Sequence, residues 1–348
     1  MEYLFKVQNK IVPEVLELAE TRFAIMSKVN ETGAIGRRAL AEKLNMSERQ
    51  VRNELEFLSD NGFLEITRAG AQLSTRGESF LKEFERYIRE LKNFSRLETE
   101  ISQQLGLEDV IIVPCDFQHT SLLRELGRSA ARYVLGILQP GDILAITGGY
   151  TMAEVANMMS CKESLSGQIE VVPGRGGLGE VVEIQANTIA AQIANKIGAD
   201  YHLLQVPDNL REENIAAIKQ EPSIQKTLEV LHNSNILVHG IGEAAEMASR
   251  RGRSEKEIND LLDKGAVGES FGFYFDAEGN IVHSTPSIGV GLEDVTRIER
   301  VIAVAGGEDK ARAIPAVVSP EYQDVLITDE ETASSMLEFL RGSGNSSK

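Results

Sequence analysis

Four glycine-bearing runs hold the residues with the clearest chemical potential. They are Thr147-Gly148-Gly149-Tyr150-Thr151, the PGRGGLG run from Pro173 to Gly179, HGIGE from His239 to Glu243, and Gly306-Gly307-Glu308-Asp309-Lys310. Glycines such as Gly148, Gly149, Gly176 and Gly177 leave backbone N–H groups bare, and at a helix start bare amides bind phosphate. Thr151 adds a hydroxyl, Arg175 a guanidinium able to grip phosphate with two parallel bonds, and Lys310 a second cation. A single run of this kind means little, because glycine at a strand-to-helix turn is often only steric. Four of them, two carrying cations, point to a small phosphorylated metabolite. None has the G-x-x-x-x-G-K-[ST] spacing of a nucleotide P-loop.

A second chemistry lies nearer the N-terminus. Ser47, Arg49, Gln50, Arg52 and Asn53 crowd the start of one apolar-periodic segment, and all can donate hydrogen bonds to base edges, Arg to guanine and Asn or Gln to adenine. Arg37, Arg38 and Lys43 before them, and Arg68 and Arg76 after them, could contact phosphates. The plainer alternative is a solvated helix face, since Glu48, Glu54 and Glu56 are close by. The order of elements described below favours DNA reading.

Enzymatic chemistry finds less support. The histidines, His119, His202, His232, His239 and His283, show no metal-ligand spacing, no G-x-S-x-G elbow occurs, and neither Cys115 nor Cys161 sits in a nucleophile motif. No catalytic residue, metal or cofactor is expected. Glu269 could accept hydrogen bonds from sugar hydroxyls, although the residues alone favour a plain turn residue.

These groups need elements to place them. Residues 11–29 read as one or two helices. A short helix from Arg37 to Leu44, a turn at 45–47 and a helix from Glu48 to Asp60 follow, the last opened by a Ser47/Gln50 capping box and stopped by Asn61-Gly62. Residues 63–67 and 72–75 then flank a turn at 68–71, which predicts a hairpin and, with the helices, a winged helix-turn-helix. From Phe80 to Leu105 apolar residues recur at steps of three or four (Phe80, Phe84, Tyr87, Leu91, Phe94, Leu97, Ile101, Leu105). That is the seam of a connecting helix that pairs with a second copy or packs on its own domain.

Beyond it, short Val/Ile/Leu runs at 110–113, 143–147, 169–172, 203–206, 236–239, 301–305 and 325–328 alternate with helical stretches, including 122–138, 151–159, 183–197 and 224–233. This predicts a mostly parallel, Rossmann-like doubly wound α/β domain whose ligand lies beyond the carboxyl ends of the strands, where the glycine runs fall. Between Val267 and Val290 a hairpin turning at 276–280 is inserted and could cover the pocket.

The expected organisation is a DNA-binding domain over 1–78, a connecting and oligomerisation helix over 79–105 and an effector domain over 106–348. Lys and Arg number 36 against 53 Asp and Glu, a formal net charge of -17 that seems to exclude nucleic acid. Residues 1–92, however, hold 15 of each sign, so the whole excess lies after them. DNA binding should therefore depend on operator sequence and assembly more than on bulk attraction. No leader or stretch of roughly 18 apolar residues is present, which predicts a cytoplasmic protein without a membrane partner.

The stretches GAIGRRALAEKLNMSERQVRNELEFL, TGGYTMAEVANMM, VPGRGGLGEVVEIQANTIAAQIA, VHGIGEAAEMASRR, ESFGFYFDAEGNIVH and IAVAGGEDKARAI resemble the SorC-type transcriptional regulators over nearly the full chain. The resemblance implies an effector domain similar to sugar-phosphate isomerases, while the extra helix ahead of the helix-turn-helix is a trait of one member rather than of the wider family. It further implies a repressor of a glycolytic operon that binds double-stranded operator DNA as a homodimer or homotetramer. The implied inducer is fructose 1,6-bisphosphate, held by the Gly149–Thr151 loop, Arg175, Glu269 and Lys310. Two alternatives stand beside it: an isomerase or deaminase acting on a sugar phosphate, and a regulator of the same type with a different sugar-phosphate inducer.

Overall fold

The computed structural model describes residues 11–114, 119–160, 165–176, 181–206, 212–319 and 321–344. The chain divides into two compact units, one up to Leu97 and one from Glu98 onward.

In the first unit, α1 (Pro13–Thr32) opens on a proline, whose missing N–H is no loss in a first turn, and buries Ile25, Met26 and Val29. α2 (Arg37–Lys43) and α3 (Glu48–Asp60) follow, with Asn45 at φ +50 in the turn between them. α3 has the bounds its cap and stop residues predict. Ser47 Oγ accepts from the Gln50 N–H while Gln50 Oε1 accepts from the Ser47 N–H, a reciprocal cap that contributes about 1 kcal/mol. Val51, Leu55 and Leu58 form its buried stripe.

β1 (Leu64–Thr67) and β2 (Gly70–Leu73) pair as an antiparallel hairpin whose turn is Arg68-Ala69, tighter than the four residues expected. Gly70 therefore opens a strand rather than sitting in the turn. At φ +132 a Cβ on it would lie 2.3 Å from the Ile35 carbonyl, because Ile35 and Ala71 exchange both backbone hydrogen bonds. α4 (Thr75–Leu91) closes the unit by packing Phe84, Ile88 and Leu91 into the core with Ile25, Met26, Leu40 and Leu55. The single connecting helix expected over 79–105 is two helices: the chain breaks at Lys92-Asn93, with Asn93 left-handed at φ +57, and restarts as α5 (Phe94–Leu105).

The second unit is built on β3 (Asp109–Val113), α6 (His119–Ile137), β4 (Ile143–Ile146), α7 (Tyr150–Met158), β5 (Glu170–Pro173), α8 (Ala186–Ile197) and β6 (Asp200–Tyr201). It continues with α9 (Pro222–His232), β7 (Ile236–Gly240), β8 (Gly242–Glu243), α10 (Ala244–Arg250), β9 (Gly268–Ser270), β10 (Phe273–Phe275) and β11 (Ile281–Ser284). β12 (Arg300–Val304), β13 (Val325–Asp329) and α11 (Glu330–Gly344) follow, and shorter helices lie at Glu212–Ile218, Glu255–Asp263, Leu292–Val295 and Ala313–Val317. The main sheet runs β3-β13-β12-β7-β4-β5-β6, and every ladder in it is parallel. α6, α7 and α8 cover one face, packing Leu126, Val155 and Ile189 against Ile146, Val238 and Ile302. On the other face α9 packs Ile224 and Leu228 with Ala145, Leu237, Phe271 and Ile288. Strands buried on both faces read as continuous apolar runs, which is why they were visible in the sequence.

One expected strand is absent. Residues 203–206 form none; β6 ends at Tyr201, and Leu204 instead exchanges hydrogen bonds with the Asn187 side chain, at 2.8 and 3.0 Å. The expected hairpin with its turn at 276–280 is present as β10–β11, within a small antiparallel sheet ordered β11-β10-β9-β8. Among the described residues no helix is long and apolar enough to cross a membrane.

Candidate functional site

Because the main sheet is parallel, the loops that leave its carboxyl edge line up in strand order. β12, β7, β4 and β5 are consecutive neighbours, and these four carry the four glycine runs. The chain winds from β4 through β5 to β6 on one side and returns at β7 to continue through β12 and β13 on the other. The crevice between β4 and β7 is therefore the topological switch point, where open α/β sheets bind ligands.

A buried polar layer lies at this edge. Thr147, Thr151, Arg175, His239, Glu269, Ser270, Thr328 and Asp329 are each less than a tenth exposed. Glu269 Oε1 accepts from Arg251 Nη2 at 2.8 Å and from the Gly272 N–H at 2.6 Å, with Arg175 Nη1 3.9 Å away. Two guanidinium groups thus flank one carboxylate. Burial acts to lower the pKa of Arg251, which is also bonded to the Tyr274 hydroxyl, but the charges and hydrogen bonds of Glu269 and Tyr274 together outweigh it and raise the pKa above the usual arginine value.

The turn Phe271-Gly272 joins β9 to β10 with both residues at positive φ, +53 and +87. A bulky residue there costs about 1–2 kcal/mol. Phe271 lies against the His239 ring at 4.3 Å between centroids, and Gly272 leaves room for Arg175, whose Nη1 would lie 2.4 Å from a Cβ. Burial lowers the His239 pKa to about 4, so the imidazole is neutral. Its Nδ1 meets Ser270 Oγ at 3.0 Å. His239 Nε2, Arg251 Nε and Thr328 Oγ1 have no hydrogen-bond partner among the described residues. Buried polar atoms without partners cost about 1–3 kcal/mol each, so such atoms call for a reason beyond packing.

The expected effector residues fall as follows. Gly149, at φ +120, is the N-cap of α7, and its own N–H is taken by the Ile184 carbonyl. The first-turn amides of α7, from Tyr150 to Met152, have no side-chain cap among the described residues and are the donors left over there, with buried Thr151 among them. Gly148 precedes this start. Gly176 donates to the Ile288 carbonyl, and a Cβ there would lie 2.4 Å from Val206, so its reason is close packing. Gly177 lies outside the described residues. Lys310 ends a short 3-10 turn (Glu308–Lys310) beyond β12 and is half-buried. Arg251 and Asp329 were missed: nothing in RRGR says which arginine turns inward, and only the helix that follows Asp329 signals a cap. Tyr150 is half exposed, with the Arg250 guanidinium 4.9 Å from its ring centroid.

On α3, Ser47, Arg49, Gln50, Arg52 and Asn53 are all exposed, as are Arg37, Arg38 and the wing residue Arg68. Two of them have other duties. Ser47 and the Gln50 side-chain oxygen are committed to the cap, which leaves the Gln50 amide nitrogen outside it. Arg38 and Arg37 pair with Glu48 at 3.2 and 3.9 Å. Arg76 holds the wing instead, donating to the Asn61 carbonyl and stacking on Phe63. α1 braces the rear of α3, with Arg22 bonded to Glu54 at 2.7 Å and lying over the Phe57 ring. Arg49, Arg52 and Asn53 are exposed and take no part in these contacts.

Comparison with known proteins agrees with this division. Residues 18–88 match the family described as the CggR N-terminal DNA binding domain, and residues 89–338 match the family described as a sugar-binding domain. The chain is 38% identical over 338 residues to the central glycolytic genes regulator of Bacillus subtilis, covering 97% of this chain and 99% of that one. It is 37% identical over 339 residues to the protein of the same name from Priestia megaterium. Among solved structures, a SorC family transcriptional regulator from Enterococcus faecalis matches with TM-score 0.64 and 40% identity, over 70% of this chain and 99% of that one. The full-length sorbitol operon regulator SorC from Klebsiella pneumoniae matches with TM-score 0.66 over 87% of this chain and 94% of that one, at 21% identity, a likeness of fold.

Proposed function

The chain belongs to the SorC family of transcriptional regulators with a sugar-binding effector domain, and on that premise we propose that it represses a glycolytic operon and is released from its operator by fructose 1,6-bisphosphate. Its relatives are transcriptional regulators rather than enzymes, so the isomerase or deaminase alternative falls away.

The observation that carries the ligand reading is the alignment of the four glycine runs on four adjacent strands around the switch point. Arg175 follows β5 and Lys310 follows β12, three strand spacings apart, about 14 Å. Long side chains can close that span onto a ligand with a phosphate at each end. One phosphate takes the uncapped start of α7 with Thr151 and Arg175, the other Lys310, while Glu269 and neutral His239 suit sugar hydroxyls between them. A thermal-shift screen of glycolytic sugar phosphates tests this. Fructose 1,6-bisphosphate should give the largest shift, about 2.7 kcal/mol of stabilisation at a hundredfold excess over Kd. A larger shift from another sugar phosphate reassigns the inducer, and an equal one from the unphosphorylated sugar removes the phosphate reading.

The DNA head reads bases through α3. Arg52→Ala should cost roughly 1–3 kcal/mol of discrimination between operator and scrambled DNA while leaving sugar-phosphate binding unchanged. Equal losses on both DNAs would make Arg52 a phosphate contact.

Two half-sites call for two heads. The exposed side of α4 carries a groove of about 610 Å³ lined by Phe80, Glu83, Phe84, Arg86, Tyr87 and Glu90. Phe84 is already in the unit's own core, so Tyr87, 38% exposed, is the residue left to meet a second copy. Tyr87→Glu should abolish cooperative filling of adjoining half-sites in gel-shift titrations; unchanged cooperativity would move the dimer contact elsewhere.

A further inference from the structure

Asp329 ends β13, the neighbour of β12, and is completely buried. We propose that it is a positioning residue for the effector site, clamping the Gly306-Gly307 turn and thereby setting where Lys310 meets the ligand. The inference rests on the reading above that Lys310 binds a phosphate.

Asp329 Oδ2 accepts from the Gly307 N–H at 2.9 Å and from the Thr332 hydroxyl at 2.5 Å, and Oδ1 accepts from the Thr332 N–H at 3.0 Å. The Gly307 N–H also lies 2.8 Å from Thr332 Oγ1. A buried carboxylate persists only when so satisfied. Gly307 in turn accepts from the Lys310 N–H through its carbonyl, at 2.9 Å. An unbroken chain of hydrogen bonds thus runs from the Asp329 carboxylate, through one peptide-bearing glycine, to the backbone of Lys310. Capping α11 would by itself explain the Thr332 N–H bond. It would not explain the bond to Gly307, nor the glycine at 306, where a Cβ would lie 2.4 Å from Asp329 Oδ2. Gly307, at φ +112, adopts a conformation few other residues tolerate. Its N–H is spent on Asp329, so this loop acts on a ligand through the placement of Lys310 and not through the Gly307 amide.

Asp329→Asn separates the two duties. Asparagine caps helices as well as aspartate does, but the amide that replaces Oδ2 sets a donor against the Gly307 N–H. Calorimetric titration of fructose 1,6-bisphosphate into the wild type, D329N, K310A and the double variant forms a cycle. D329N and K310A should each weaken binding by roughly tenfold or more, and the double variant should bind no worse than K310A. The inference is overturned if D329N binds as the wild type does, or if it weakens binding equally in the K310A background, as a general loosening of the fold would. Unchanged affinity in K310A alone defeats the Lys310 reading and this inference with it. Should D329N fail to fold, T332V removes the hydroxyl beside Gly307 and keeps the Asp329 cap. It should show a smaller loss that again vanishes without Lys310, and a loss that persists there overturns the proposal.

Discussion

An Arg175→Ala protein is expected to hold its operator at every fructose 1,6-bisphosphate concentration that releases the wild type. Hydrogen bonds to charged groups contribute about 1.5–3 kcal/mol each, so losing a two-pronged phosphate contact weakens the inducer by roughly a hundredfold or more. The guanidinium sits 3.9 Å from Glu269, beyond hydrogen-bond range, and Glu269 keeps its bonds to Arg251 and Gly272 when Arg175 is removed. The carboxylate is therefore not stranded. Arg175→Lys restores the charge without the planar fork and should recover only part of the affinity. Calorimetry with the sugar phosphate and gel shifts with operator read the two halves separately. Full inducer affinity in Arg175→Ala would show that the ligand lies elsewhere, and lost DNA binding with a retained ligand response would invert the assignment.

The second large effect is mutual. If the inducer lowers operator affinity by some factor, operator DNA must lower inducer affinity by that same factor, because both report one coupling free energy. Couplings of this kind are typically about 1–3 kcal/mol, or roughly 5–150-fold. Titrating fructose 1,6-bisphosphate with and without saturating operator should give dissociation constants that differ by the ratio seen in the DNA titrations. Equal constants would mean that the sugar phosphate acts on something other than the DNA-bound state.

Much of this molecule could be read from its residues, for reasons that differ by element. α3 was legible at both ends because Ser47, Gln50, Asn61 and Gly62 act locally, within a few residues of the backbone they shape. The central strands were legible because burial on both faces leaves no room for polar alternation. Residues 203–206 misled because Leu204 and Val206 are buried without being paired, and the Asn187 amide that satisfies Leu204 comes from a helix. The break at Asn93 hides inside an uninterrupted apolar stripe, since a left-handed asparagine leaves the spacing on either side intact.

Of the candidate site, the glycine runs, Arg175 and Lys310 stand out by type and position. The Arg251–Glu269 pair and the Asp329–Gly307 clamp do not, because contacts between distant segments leave no local trace. Glu269 shows the difference well. Its residue context suggests a turn, whereas its environment is a buried carboxylate between two arginines.

The strand order of the main sheet also governs how the protein is made. β3 is the first strand of the sheet to leave the ribosome, and its one partner among the described residues is β13, the last of them. Every other strand can find a neighbour earlier, but the edge of β3 waits for the final helix and strand of the chain. The N-terminal unit has no such debt: its hairpin and helices pair within a short stretch of chain and can form during synthesis. A nascent chain thus acquires its DNA-binding head well before the parallel sheet of the sugar-binding domain is closed, and the unpaired β3 edge is the part most exposed to mispairing in the interval.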